Sequence, residues 1–147
     1  MKLSTRGRYG TRFMLDLALH FGEGPILLRE VSKRQEISVK YLEQLVTPLR
    51  VGGLVKSTRG PHGGYHLARS PAEIDLYTII TVLEGAFSLT ECVADRSFCQ
   101  RSDRCVTRDI WGEVNEKIVN HLKSITLEDV AEREKKRESL SRDMYQI

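Results

Sequence analysis

Seven residues, Thr58-Arg59-Gly60-Pro61-His62-Gly63-Gly64, do most to limit what this chain can fold into. Three glycines and a proline in so short a stretch allow a tight turn and little else. The flanking segments 54–57 and 65–68 alternate weakly, as the two short strands of a hairpin do. Upstream, 39–51 carries Leu42, Leu45, Val46 and Leu49 on one helical stripe. Ser38 stands at its N-cap position and Gly52-Gly53 ends it. Pro48 interrupts that stripe, and its missing donor should kink the last turn or end the helix early. Before it, 27–35 reads as a short helix with Leu28 and Val31 inward, followed by the turn Ile37-Ser38. Earlier still, 8–21 places Tyr9, Phe13, Leu17 and Phe21 near a period of 3.6, until Gly22-Glu23-Gly24-Pro25 stops it. Helices followed by a hairpin predict a winged helix-turn-helix over residues 1–70.

From Pro71 the pattern is helical again. Asp75 caps a run with Leu76, Ile79, Ile80 and Leu83 on its inner face, closed by Gly85. Residues 88–106 are polar and irregular and hold all three cysteines. A long helix over 107–126 follows, with Trp111, Val114, Ile118, Leu122 and Ile125 at spacings of three and four. So short a chain offers this aliphatic face no obvious partner beyond the first helix or a second copy, and a symmetric dimer would bury it. Residues 71–131 thus form a cysteine loop and a dimerisation helix. The segment 132–143 is dominated by charges, so 132–147 is expected to be a frayed helix end or a flexible tail. The fold class is mainly α.

Charge narrows the function. Residues 1–70 carry twelve Lys and Arg against five Asp and Glu, whereas 71–147 carry eleven against fifteen, and the whole chain nets +3. A basic half suits a polyanion. No apolar run approaches the ~20 residues of a membrane span. The basic N-terminus lacks the apolar core of a signal peptide, so a cytoplasmic protein is expected. No nucleophile elbow, P-loop or dinucleotide fingerprint is present, and His20, His62, His66 and His121 are scattered, so an enzyme is not expected.

A helix-turn-helix lays its second helix in the major groove, N-terminal residues nearest the bases. Those residues are Ser38, Lys40, Tyr41, Glu43 and Gln44, mostly off the apolar stripe. Gln44 suits an adenine edge and Glu43 a cytosine amino group, while Lys40 and Tyr41 suit phosphates. At the hairpin tip, Arg59 suits a narrow minor groove, and Gly60 lets backbone approach a phosphate.

The cysteines are spaced Cys92-x6-Cys99-x5-Cys105. Three thiols so close can converge on a soft or borderline metal. Structural zinc usually wants four ligands in tight pairs, which are absent here. An iron–sulfur cluster also usually wants four, with other side chains able to replace one. Plain or redox-active thiols fit any cytosolic chain.

The stretches Arg6-Gly7-Arg8-Tyr9-Gly10, Ser38 to Leu45 and Arg59 to Tyr65, with Cys92, Cys99, Cys105, Trp111 and Ile125-Thr126-Leu127, closely resemble the IscR/NsrR family of bacterial winged-helix regulators. The resemblance covers nearly the whole chain except the tail. It implies a homodimer paired through the long helix, an operator in double-stranded DNA contacted by the recognition helix and wing, and an iron–sulfur cluster on the three cysteines. It also exposes a departure. Some members ligate through a His three residues beyond the third cysteine, where this chain has Arg108. Others use an acidic residue near the start of the first helix of the partner subunit, where it has Arg8. Arginine stays protonated and cannot ligate. Glu91, Asp95, Asp103, Asp109, His20 or an exogenous ligand remain as substitutes, and the cluster is either [2Fe–2S] or [4Fe–4S]. A zinc- or thiol-based regulator of the same fold is the alternative, with an iron–sulfur carrier behind it.

Overall fold

The computed structural model describes residues 2–146. Helix α1 spans Thr5–Leu19, α2 Leu28–Gln35 and α3 Val39–Val51; strands β1 (Val55–Thr58) and β2 (Gly64–Leu67) follow. Helices α4 (Leu76–Glu84), α5 (Glu91–Ala94), α6 (Val106–Lys123) and α7 (Leu127–Tyr145) complete the chain, with single 3-10 turns at Pro71–Glu73, Arg96–Phe98 and Ser102–Arg104.

The expected winged helix-turn-helix is present. Helix α1 begins three residues before the periodic pattern does, because Ser4 caps it, accepting from the Gly7 N–H at 3.2 Å. Glu84, at the end of α4, accepts from the Ser4 and Gly7 N–H groups at 2.9 and 3.2 Å and from the Ser4 hydroxyl. A carboxylate at the positive end of a helix also opposes the helix dipole favourably. Close approach of α1 to α4 rests on Gly10, where a Cβ would run into Leu83.

Helix α3 passes through Pro48 and ends at Val51, so the expected early end does not occur. Proline forfeits one backbone bond there, while Leu45, Val46 and Leu49 stay buried around it. The Gly52 N–H still closes onto the Pro48 carbonyl at 2.8 Å.

The hairpin is antiparallel, pairing Val55 with Leu67 and Thr58 with Gly64. Ile26, in the α1–α2 connection, pairs with Tyr65 through two 2.8 Å backbone bonds, tying the wing to the base of the helices. Gly64 makes this possible: its φ is +150°, and a Cβ would lie 2.6 Å from the Ile26 carbonyl oxygen.

The largest departure is at the end of the chain. The segment expected to be a frayed helix end or a flexible tail belongs to the 19-residue helix α7. Thr126 and Asp129 form a reciprocal capping box, and the Leu127 N–H bonds to the Ile74 carbonyl at 2.8 Å. Leu127 and Ala131 are buried in the core. Residues 132–138 of α7 are all Glu, Lys and Arg, good helix formers that leave no apolar stripe to read there.

One core runs from α1 to α7, built on Phe13, Met14, Leu17, Leu42, Leu49, Leu54, Ile79 and Leu127, and it crosses residue 70 without a break. Among the described residues α6 buries nothing in this core; Val106, Ile110, Trp111 and Val114 are exposed. No helix of the described residues is long and apolar enough to cross a membrane.

Candidate nucleic-acid interface and cysteine loop

The position of α2 is fixed from α1. Asp16 is 1% exposed. Its carboxylate accepts from Arg34 Nη2 at 2.8 Å, Arg34 Nε at 3.0 Å and Gln35 Nε2 at 3.1 Å. That fork-to-fork hydrogen bonding keeps the Arg34 guanidinium protonated beyond its usual range. Arg12 adds a bond to the Gln35 carbonyl. A buried carboxylate without such partners would cost several kcal/mol, so the set locks α2 in one place. Glu36 then turns the chain with a left-handed φ of 55°.

Ser38, Lys40, Glu43 and Gln44 all stand exposed on α3. Ser38 is committed as the N-cap, its Oγ accepting from the Tyr41 N–H at 3.2 Å, which leaves its hydroxyl proton free. Tyr41 is half-buried: its ring meets Tyr9 edge to face, centroids 5.8 Å apart. Arg8 and Arg12 lie 5.8 and 5.3 Å from the Tyr9 ring centre, so α1 sets two more cations beside α3. The pattern reading did not single these out as part of the face, since only the Tyr9–Tyr41 contact brings them to it. Arg59 and Gly60 are exposed at the hairpin tip.

The three thiols are free and lie in one surface loop, Cys99 exposed and the other two half-exposed. Thr90 Oγ1 is 3.2 Å from Cys92 Sγ, and Thr107 Oγ1 is 3.2 Å from Cys105 Sγ. Cys105 is the N-cap of α6. The Thr107 hydroxyl, then the Arg108 N–H, lower its thiol pKa, with Arg101 helping. Arg108 Nε donates to the Cys92 carbonyl at 2.8 Å, and Asn115 Oδ1 accepts from the Leu89 N–H at 2.7 Å, so two α6 side chains fasten the loop.

Donor chemistry fits a soft metal centre: three thiols, one of them acidified. The described arrangement does not pre-assemble it, because among the described residues no three Cys, His, Asp or Glu side chains are grouped to hold a metal ion. The substitute ligands are partly engaged. Asp103 pairs with Arg96 at 2.9 Å. Asp95 caps a turn, where the Ser97 hydroxyl and N–H hold its carboxyl below the usual range. His20 Nδ1 is 2.9 Å from the Asp16 carbonyl. Glu91 and Asp109 are exposed.

Residues 3–133 match the Rrf2 family, described as an iron-dependent transcriptional regulator. The chain belongs to the Rrf2 family. It is 44% identical over 130 residues to the HTH-type transcriptional regulator IscR of Pectobacterium carotovorum subsp. carotovorum (strain PC1), covering 88% of this chain and 79% of that protein. Among solved structures it is similar to CymR (YrzC), the global cysteine regulator of B. subtilis. That match has a TM-score of 0.78 and 42% identity, and covers 90% of this chain and 98% of CymR. It is also similar to T. potens IscR, with a TM-score of 0.74, 44% identity, and 90% and 88% covered. This Rrf2-family chain is therefore a transcriptional regulator of the IscR-like winged-helix kind, and not an enzyme.

Proposed function

We infer that this Rrf2-family regulator binds an operator as a homodimer, and that an iron–sulfur cluster on Cys92, Cys99 and Cys105 sets its affinity. The observation that carries this is the fastening of a three-thiol loop to α6 by Arg108, next to an acidified Cys105. Helix α6 carries Ile110, Trp111 and Val114 exposed on its surface, and a second copy would cover them. What changes the loop therefore acts on the helix that pairs the two reading heads. Cys92, Cys99 and Cys105 would hold a cluster through their thiolates, and oxidants, nitric oxide or iron scarcity would break those bonds. The chain's own part is to hold the sulfurs in one segment, keep Cys105 ready to deprotonate, and transmit the ordering of the loop through Arg108 and Asn115. A tenfold change in operator affinity needs only about 1.4 kcal/mol, within reach of ordering one loop.

On the DNA side, Gln44 and Glu43 read base edges, Ser38, Lys40 and Tyr41 hold phosphates, and Arg59 with Gly60 enters from the wing. A metal-free thiol regulator is the second reading, favoured by the absence of grouped metal ligands among the described residues. Anaerobic purification with iron and sulfide analysis and an absorbance spectrum tests the assignment. Iron, sulfide and a visible chromophore are expected, lost in Cys99→Ala. Colourless, iron-free protein after reconstitution would leave the thiol reading.

A further inference from the structure

A cavity of about 430 Å³ lies between the end of α1, the Gly22–Ile26 connection and the wing. Among the described residues no Lys, Arg, Asp or Glu lines it. Its walls are Leu17, Phe21, Pro25, Ile26 and Leu67, and the lining residues with polar side chains are His20, His66 and Thr58. That size lies within the range of sites that enclose small molecules, and an uncharged apolar lining selects neutral ligands.

The two imidazoles refine the chemistry. His20 Nδ1 is 2.9 Å from the Asp16 carbonyl, which can only accept, so Nδ1 carries the proton. With Nδ1 engaged and the Asp16 carboxylate 3.8 Å away, Nε2 is the ring nitrogen left for a ligand, and a hydroxyl, which both donates and accepts, is its complement. His66 Nδ1 is shielded from solvent and has no hydrogen-bond partner, an unmet polar atom beside the same cavity. At the rim, Phe21 is 52% exposed, an aromatic surface left in water where an apolar ligand would cover it.

The site is mechanically joined to the wing. Thr58, His66 and Leu67 belong to its strands, and Ile26 is paired to Tyr65 by two backbone bonds. We propose that this cavity binds a neutral, mostly apolar small molecule bearing a hydroxyl, of phenol or naphthol type, and that occupancy steadies the wing and tightens operator binding. A wing ordered in advance loses less freedom on meeting DNA. The coupling rests on the DNA-binding reading above, whereas the binding site does not.

The test uses full-length protein with 1-naphthol as ligand and naphthalene as its hydroxyl-free control. Amide chemical-shift changes are expected to saturate and to centre on residues 17–26, 58 and 66–67. Naphthol should be preferred roughly three- to tenfold, the worth of one neutral hydrogen bond. His20→Phe should erase that preference while keeping naphthalene affinity, and Phe21→Ala should weaken both ligands. In a separate titration, saturating naphthol should tighten operator binding roughly two- to tenfold in the wild type and leave His20→Phe less affected. No saturable shifts, or shifts untouched by both variants, would overturn the site. Saturable shifts with an unmoved operator affinity would overturn the coupling. Failure of the ligand-free protein to bind any duplex would instead refute the DNA reading, with the shift experiment still deciding the site.

Discussion

Arg108 Nε, in the first turn of α6, donates to the backbone carbonyl of Cys92 at 2.8 Å. Sixteen residues apart in the chain, the two hold the cysteine loop closed against the helix whose apolar surface is exposed in the monomer. The position where the family resemblance implies a metal ligand in some members is thus occupied by a clamp. Arg108→Ala should free the loop at a stability cost of about 1 kcal/mol, since the bond is part-exposed. Alkylation of half-exposed Cys92 should speed up roughly three- to tenfold, measured by mass spectrometry after timed labelling. An unchanged rate would show that the clamp does not hold the loop.

Cys105 should ionise at a lower pH than an ordinary thiol. Its pKa is lowered by the Thr107 hydroxyl first and the Arg108 N–H second. A lowered pKa makes thiolate available at lower pH, so its alkylation profile in metal-free protein should have a midpoint below that of an ordinary cysteine thiol. Thr107→Val should move that midpoint upward. A Thr107→Val profile identical to the wild type would remove the hydroxyl as the cause.

Asp16 is the buried anchor of the reading head. Asp16→Ala strips Arg34 and Gln35 of their acceptor and opens a polar void. Arg34 is partly exposed and can rehydrate, so we expect a loss of about 2–3 kcal/mol rather than the full penalty of a stranded buried charge. Urea unfolding measures it, and a loss below about 0.5 kcal/mol would mean the network adds nothing to the fold.

Much of this was readable locally. Ser38, Asp75 and Gly52-Gly53 mark helix ends through bonds within four residues, and each sits where the pattern puts it. Recognition-helix residues are exposed because the Leu42/Leu45/Leu49 stripe takes the other side. What was illegible depends on distance. Ser4 caps α1 locally, but the Glu84 carboxylate that completes that end comes from 80 residues away in the chain. The tail is a helix because Leu127 and Ala131 dock on the core, which a run of charges hides. The Arg108–Cys92 clamp and the Tyr9–Tyr41 contact join elements whose adjacency no periodicity encodes.

Gly64 offers a direct check on the wing. Gly64→Ala places a methyl against the Ile26 carbonyl at a φ that L residues rarely adopt. The Ile26–Tyr65 pairing should break, and operator affinity should fall about tenfold, or about 1.4 kcal/mol, with a smaller loss of helical-core stability. Binding isotherms and circular dichroism separate the two effects. Full operator affinity in this variant would show that wing placement is irrelevant to binding.

The central claim is that chemistry at three sulfurs sets the grip on DNA. Its most direct measurement is an anaerobic operator titration at fixed salt, before and after reconstitution with iron and sulfide. The wild type is compared with the Cys92→Ala/Cys99→Ala/Cys105→Ala variant. The account predicts that reconstitution shifts the wild-type dissociation constant by about tenfold or more and leaves the triple variant unmoved. Identical wild-type affinities in both states, or an equal shift in the triple variant, would contradict it.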